Sequence, residues 1–158
     1  MKRMTRPTRD RVLIECAESW AARSTCERAQ VGVIISREGR TLSTGYNGTP
    51  AGMAHCNHEC DCGGSPIPDV DFHMGYCLSF TPCTQAVHAE ANAVAWAARH
   101  GVGLMGAELH TTRVPCLTCA GLIVNAGIVR VTWVEEHRDM AGLHRLGQAG
   151  VDVVQWGA

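Results

Sequence analysis

The stretch VHAEANAVAWAAR at residues 87–99, followed by VPCLTCA at residues 114–120, decides the fold and the chemistry expected of this chain. Together the two segments supply one imidazole, one carboxylate and two thiols, which belong to His88, Glu90, Cys116 and Cys119. One histidine and two cysteines give Zn²⁺ three protein ligands and leave its fourth tetrahedral position open, which is typical of a catalytic zinc. Water at an open position ionises near neutral pH, so the pattern predicts a water-activating zinc with Glu90 beside it but not bound to it.

Each segment has the features of a helix that begins at the metal. Residues 87–99 are rich in alanine and place apolar side chains at helical spacing, so they predict a buried helix with His88 and Glu90 in its first turn. Pro115 suits the first turn of a second helix over residues 116–125, which Gly127 ends. Two helix N-termini would then converge on the metal, where their partial positive charge favours thiolates.

Neither segment alone would support this prediction. A CxxC pair is often half of a structural zinc site or a redox pair, and a lone His-x-Glu is usually just two helical residues. In this order, and with proline before the first cysteine, they match the known H-x-E…P-C-x-x-C signature of zinc deaminases. Glu90 also argues against a non-enzymatic zinc module, because a closed structural site has no use for a free carboxylate beside it.

The composition limits the classes of protein to consider. At 158 residues, the chain is expected to form one domain, residues 1–158. The net charge is −1, with one lysine beside thirteen arginines, so a large basic face and a nucleic-acid polymer as substrate are not expected. No apolar run reaches the length of a membrane span, and residues 1–10 lack the apolar core of a signal peptide. Nine cysteines without a secretion signal indicate the reducing cytoplasm and metal ligation before disulfides.

The remaining sequence alternates between helical and strand patterns. Residues 8–23 predict a first helix, capped by Thr8, whose apolar stripe includes Cys16 as a core residue. A hairpin at residues 31–36 and 41–46 and a long loop over residues 47–82 follow. Beyond the two helices at the metal, the pattern predicts strands at 107–112, 128–134 and 151–156 and a helix at 139–149. Sixteen residues connect the last two strands, which should therefore be parallel with a right-handed crossover.

Five segments of the chain resemble the deoxycytidylate (dCMP) deaminase family. They are STCERAQVGVIIS at 24–36, GYNGTPAG at 45–52, VHAEANAV at 87–94, TTRVPCLTCA at 111–120 and NAGIVRV at 125–131. The resemblance implies an α/β protein with the three-layer α/β/α cytidine deaminase-like fold and a mixed five-stranded sheet whose last two strands are parallel. The chain departs from the family at Gly121, where a lysine is common, and after Trp133, where tyrosines are common.

The same resemblance implies hydrolytic deamination of dCMP to dUMP with release of ammonia, which supplies dUMP for thymidylate synthesis. Glu90 would take a proton from the activated water, pass it to N3 of cytosine and then help to protonate the departing amine. The backbone N–H of Ala89 is the candidate donor to the cytosine carbonyl. The candidate contacts to phosphate and sugar are Arg28, Asn47 and, in the same pocket, Thr25.

Other substrates remain alternatives at this point. One is a deaminase of dCTP or of a modified deoxycytidine nucleotide. A less favoured one is a tRNA adenosine deaminase, which would be expected to show a basic face for RNA and no GYNGTP loop of this length.

The surplus cysteines around the long loop indicate a second, structural zinc that would staple the loop. Cys26, Cys56 and Cys83 fall where cysteines recur in the family, and the fourth ligand stays open among Cys60, Cys62, Cys77 and His58. Buried free thiols are the alternative. The family also implies dCTP and dTTP as effectors and a homo-oligomer, either a hexamer or a smaller dimer-based ring. The nearly all-round apolar helix at residues 87–99 gives an independent reason to expect an oligomer.

Overall fold

A mixed sheet of five strands forms the centre of the computed structural model, which describes residues 6–26, 29–55, 85–136 and 139–157. The strands are β1 (Gly32–Arg37), β2 (Arg40–Tyr46), β3 (Glu108–Arg113), β4 (Arg130–Glu135) and β5 (Asp152–Gln155). Their order across the sheet is β2-β1-β3-β4-β5. β1 is antiparallel to β2 and β3, whereas β3, β4 and β5 run parallel. The predicted sheet with two parallel last strands is therefore confirmed.

Helices cover both faces of the sheet. Those in the described residues are α1 (Arg9–Ala21), α2 (Ala89–Arg99), α3 (Leu117–Asn125) and α4 (Ala141–Gln148). α1 packs on one face, where Leu13 and Ala17 meet Ile34. The alanines of α2 meet Val33 and Ile35 in the larger core on the other face, together with α3 and α4. Successive residues of a strand point to opposite faces, which is why β1 serves both layers of this α/β/α arrangement.

The side that the first helix presents to the sheet overlaps only in part with the predicted one. Thr8 caps α1 as expected, since its hydroxyl accepts a hydrogen bond from the N–H of Arg11 at 3.3 Å. Cys16, however, is exposed, so its assignment to the core was wrong. The buried side chains of α1 are those of Leu13, Ile14, Ala17 and Ala21. The i, i+4 row that contains Cys16 lies about 100° around the helix from the row of Ala17, and a single sheet face covers only one of them.

Both helices at the predicted metal begin one or two residues later than the sequence pattern indicates. His88 and Cys116 have extended backbone and occupy the N-cap positions of α2 and α3. They therefore lie at the helix ends, with Glu90 in the first turn of α2. Within the described ranges, no helix is long and apolar enough to cross a membrane.

Candidate active site

The side chains of His88, Cys116 and Cys119 meet where the N-terminal ends of α2 and α3 come together. Nδ1 of His88 lies 3.4 Å from Sγ of Cys116 and 3.5 Å from Sγ of Cys119. Cys116 is the N-cap residue of α3, and Cys119 lies in the first turn of that helix. The two thiols therefore face the same way, as their spacing of three residues predicts.

The separation of these donor atoms fits a tetrahedral zinc ion. Zn–N and Zn–S bonds of about 2.0 and 2.3 Å place nitrogen and sulfur ligands about 3.5 Å apart in tetrahedral geometry. The distances of 3.4 and 3.5 Å from Nδ1 to the two sulfur atoms agree with that value. One imidazole with two thiolates is also a ligand set that zinc prefers. These three residues can therefore hold zinc and leave its fourth position to water.

A hydrogen bond joins the two cysteine side chains and shifts their pKa values in opposite directions. A hydrogen bond from Cys119, reinforced by His88, lowers the pKa of the Cys116 thiol to about 3. The same hydrogen bond, together with burial, raises the pKa of Cys119. A divalent cation between them favours the thiolate form of both, so zinc binding is expected to release a proton.

Glu90 supplies a buried carboxyl group beside the donor atoms. It is the second residue of α2 and is only 4% exposed. Burial raises the pKa of the Glu90 carboxyl group, because the charged form loses its hydration. The carboxyl group contacts the Cys119 thiol, which places it next to the predicted metal. A dry carboxyl group in this position is suited both to accepting a proton and to returning it.

Asn47, a predicted substrate contact, also holds the loop that precedes β1. Its Oδ1 accepts a hydrogen bond from the N–H of Val31 at 2.8 Å, and its Nδ2 donates to the carbonyl of Ala29 at 2.7 Å. Its own carbonyl accepts from the Ser24 hydroxyl at 2.9 Å. Each polar atom of this buried side chain thus has a backbone partner, a structural role that the sequence did not predict. Its contact with substrate stays a prediction.

The other predicted substrate contacts are the backbone N–H of Ala89 and the side chains of Thr25 and Arg28. The N–H of Ala89 is the first of α2 and has no partner within the helix, which suits a donor to substrate. Thr25 Oγ1 is buried, has no hydrogen-bond partner and lies against Gly48. Arg28 lies outside the described residues, so its predicted phosphate contact stays a prediction.

The comparison with known proteins decides the family. A model of the cytidine and deoxycytidylate deaminase zinc-binding region matches residues 7–135. The chain belongs to this deaminase family.

Individual relatives in this deaminase family agree with that assignment. A deoxycytidylate deaminase of Mycobacterium phage D29 is 41% identical over 133 residues, which are 84% of this chain and 99% of the phage protein. The deoxycytidylate deaminase of Saccharomyces cerevisiae is 35% identical over 161 residues, 99% of this chain but 47% of the yeast protein, so the chain spans about half of that relative. The crystal structure of a cyanophage S-TIM5 dCMP deaminase in complex with dCMP and dUMP matches with a TM-score of 0.77 at 30% identity, over 96% of this chain and 99% of that one. The predicted resemblance and fold are therefore confirmed.

The second zinc site falls largely outside the described residues. Cys26 is buried, whereas Cys56 and Cys83 are not among the residues that the structure describes. The second zinc therefore stays a prediction. A separate group of possible ligands, Asp10, Glu108 and His110, surrounds the guanidinium group of Arg130, which pairs with both carboxylates. This group is best explained as an ion-pair network.

The sequence reasoning missed the residues that fix α2 against β2. Gly45 of β2 leaves no room for a side chain, since a Cβ there would lie 2.2 Å from the Ala89 carbonyl oxygen. Asn92 of α2 donates from Nδ2 to the Tyr46 carbonyl at 2.8 Å. A glycine inside a strand pattern is the one signal that indicates such a close approach.

Proposed function

We propose that this chain catalyses the zinc-dependent hydrolysis of dCMP to dUMP and ammonia. The observation that carries the proposal is the His88, Cys116 and Cys119 donor set at zinc-like spacing with the buried carboxyl group of Glu90 beside it. The choice of dCMP is supported by relatives named deoxycytidylate deaminase and by the related cyanophage enzyme, whose structure contains dCMP and dUMP.

The residues of the site divide the work of the reaction. His88, Cys116 and Cys119 would hold the zinc ion. Bound zinc supplies Lewis acidity that makes water a nucleophile near neutral pH. Glu90 accepts a proton from the attacking water and delivers it to N3 of the ring, and it then helps to carry the second water proton to the leaving amine. The water oxygen ends on C4 and the amine leaves as ammonia, so the reaction balances.

Four residues are the candidates for orienting the substrate: Ala89, Asn47, Arg28 and Thr25. The free N–H of Ala89 would donate to the cytosine carbonyl oxygen. Asn47 retains one N–H hydrogen beyond its bond to Ala29, and this hydrogen is the candidate donor to the sugar or phosphate. Arg28 would supply the charge for the phosphate, and Thr25 remains a further candidate contact.

Under this proposal the product dUMP feeds thymidylate synthesis, and dCTP and dTTP are candidate effectors. A reducing compartment such as the cytoplasm would keep the ligand thiols available.

Ammonia release from a panel of substrates tests the proposal. The zinc-loaded protein is incubated with dCMP, dCTP, CMP, deoxycytidine and a tRNA hairpin that contains adenosine. We expect dCMP to be preferred over deoxycytidine by at least about tenfold in kcat/KM, because a phosphate contact of about 1.4 kcal/mol gives that ratio. Equal turnover of nucleoside and nucleotide would refute the monophosphate preference, and turnover of the hairpin alone would support the tRNA alternative.

Metal content tests the proposed second, structural zinc. We expect close to two zinc ions per chain by elemental analysis, since the proposed ligands Cys26, Cys56 and Cys83 are different residues from the donor set of His88, Cys116 and Cys119. One zinc should survive replacement of Cys116 and Cys119 by serine, whereas replacement of Cys56 and Cys83 should remove the other. A value of one zinc in metal-replete protein would mean that the extra cysteines are thiols.

A further inference from the structure

The segment at residues 46–48 is fixed to the start of α2 on both sides of Asn47. On one side, Gly48 and Val87 form an isolated antiparallel bridge with N–H to carbonyl distances of 3.1 and 2.9 Å. On the other side, Asn92 donates from Nδ2 to the carbonyl of Tyr46 at 2.8 Å. Gly48 is thus hydrogen-bonded to Val87, the residue before the predicted metal ligand His88. Tyr46 is hydrogen-bonded to Asn92, one helical turn after His88.

Asn92 links this segment to His88 through two consecutive hydrogen bonds. Its backbone N–H donates to the His88 carbonyl at 2.9 Å, which is the first helical bond after the N-cap. Its side chain donates to Tyr46, the last residue of an edge strand. An edge strand has a neighbour on one side only, so some of its carbonyls need a partner from outside the sheet. Asn92 meets that need and connects the end of β2 with the N-terminus of α2.

The backbones of β2 and α2 touch directly at this junction. A Cβ on Gly45 would lie 2.2 Å from the carbonyl oxygen of Ala89 and 2.8 Å from the nitrogen of Ala93. Close packing of this kind leaves no free space, so it holds the end of β2 at a defined position relative to α2. A shift of the end of β2 would therefore change the distance between Asn47 and the pair His88 and Glu90.

We propose that Asn92 is a positioning residue that sets the placement of the substrate-binding segment at residues 46–48 relative to His88 and Glu90. The proposal rests on the function proposed above and deepens it. Asn92 does not touch the reacting atoms in this assignment. It acts through the Tyr46 carbonyl, so its loss would misplace bound nucleotide and leave the metal ligands in place.

Ser43 provides a matched control in the same pair of elements. Its hydroxyl donates to the Ala93 carbonyl at 2.6 Å, so it also joins β2 to α2, but two residues before Gly45 along β2. Ser43 is 2% exposed, so removing its hydroxyl should cost at least as much stability as removing the partly exposed Asn92 amide. A purely structural role would therefore give the two positions similar kinetic effects.

The experiment compares the wild-type enzyme with Asn92→Asp, Asn92→His and Ser43→Ala. KM and kcat for dCMP, the dissociation constant of dUMP, zinc content and thermal unfolding are measured for each. We expect Asn92→Asp to raise both KM and the dUMP dissociation constant by about tenfold or more, because a small misplacement of substrate is costly. Asn92→His should recover most of the loss through its Nδ1–H, Ser43→Ala should change both constants by less than about twofold, and zinc should stay at the wild-type level in all variants.

Each outcome decides the assignment. Equal changes in Asn92→Asp and Ser43→Ala, or loss of zinc from Asn92→Asp, would overturn the positioning role while leaving the proposed function intact. A folded wild-type protein that is zinc-loaded but does not turn over dCMP would instead overturn the proposed function, and the positioning role with it.

Discussion

Glu90 shows how one residue type acquires its chemistry from its place in the fold. Its carboxyl group is buried beside two thiols and an imidazole, a position that suits the proposed proton transfer. We expect Glu90→Gln to keep the fold and the zinc and to lower kcat by roughly 10²–10⁴, the usual contribution of a general acid–base group, or more, since Glu90 serves several transfers. Turnover of dCMP and zinc content measure this directly.

A control substitution at another glutamate shows whether the effect is specific to the Glu90 carboxylate. Glu136→Gln removes an exposed carboxylate just after β4, and its kcat should equal that of the wild type. Loss of zinc from Glu90→Gln would show that the carboxylate is a metal ligand, contrary to the assignment.

Asp10 makes stability depend on pH through its contact with Arg130. Both of its carboxylate oxygens accept hydrogen bonds from Arg130, at 3.0 and 2.8 Å, and this contact lowers the pKa of Asp10 in the folded protein. A lowered pKa stabilises the fold at pH values above the unfolded value of about 3.9, and this contribution is lost as the pH falls toward the folded value. We expect Asp10→Asn to be less stable than the wild type by roughly 1–2 kcal/mol at pH 7, with the difference shrinking below about pH 4.

Urea unfolding between pH 7 and pH 3 provides the test of Asp10. Glu18→Gln, an exposed position on the same helix, serves as the control and should match the wild type. A difference between wild type and Asp10→Asn that grows on acidification would contradict the assigned sign.

At the scale of elements, the contact between α4 and the start of α3 sets the position of Cys116. A Cβ on Gly142 would lie 1.9 Å from the carbonyl oxygen of Pro115, so α4 packs directly against the backbone before the proposed metal ligand Cys116. We expect Gly142→Ala to lower the free energy of unfolding by about 1–3 kcal/mol, the usual cost of overpacking. It should also weaken zinc retention, because α4 must move away from the ligand-bearing segment.

Gly147 gives the opposite expectation in the same helix. A Cβ at Gly147 would meet no atom within 4 Å. Gly147→Ala should therefore raise the free energy of unfolding by about 0.4–1 kcal/mol, through reduced freedom of the unfolded chain. Urea unfolding of both variants decides the matter, and equal destabilisation by the two alanines would exclude the close-packing explanation.

At the scale of the whole molecule, the described part of the chain leaves the outer side of α2 uncovered. The buried side consists of Ala89, Glu90, Ala93 and Ala97, whereas Trp96 on the other side is 47% exposed. An apolar side chain of this size on an otherwise small-residue helix agrees with the predicted homo-oligomer, which stays a prediction.

Light scattering checks the assembly. We expect a mass near six chains of 17.0 kDa, or a smaller dimer-based ring. Trp96→Glu should lower the mass, whereas Met105→Glu, at an exposed methionine between α2 and β3, should not. A concentration-independent mass of one chain in the wild type would rule the oligomer out.

Three features of this protein follow from short-range sequence patterns. The shared orientation of Cys116 and Cys119 follows from their spacing at the start of α3, because residues three apart on a helix share a face whatever surrounds them. The parallel arrangement of β4 and β5 follows from a connection too long for a hairpin. The Thr8 cap is likewise a local hydrogen bond that neighbouring residues specify.

Only the tertiary structure decided which side of a helix is buried and which distant residues form contacts. It turned Cys16 to the surface, because the sheet covers one of two adjacent apolar rows of α1. It gave the side chain of Asn47 two backbone partners, where the sequence indicated only a turn. It also joined Asn92 to Tyr46, 46 positions apart, where the sequence indicated only an asparagine in a helix. It also paired Asp10 with Arg130 across 120 positions. The local sequence pattern determines which side chains a segment places on each of its faces. The partners of those side chains depend on how distant segments pack, and a short window of sequence does not contain that information.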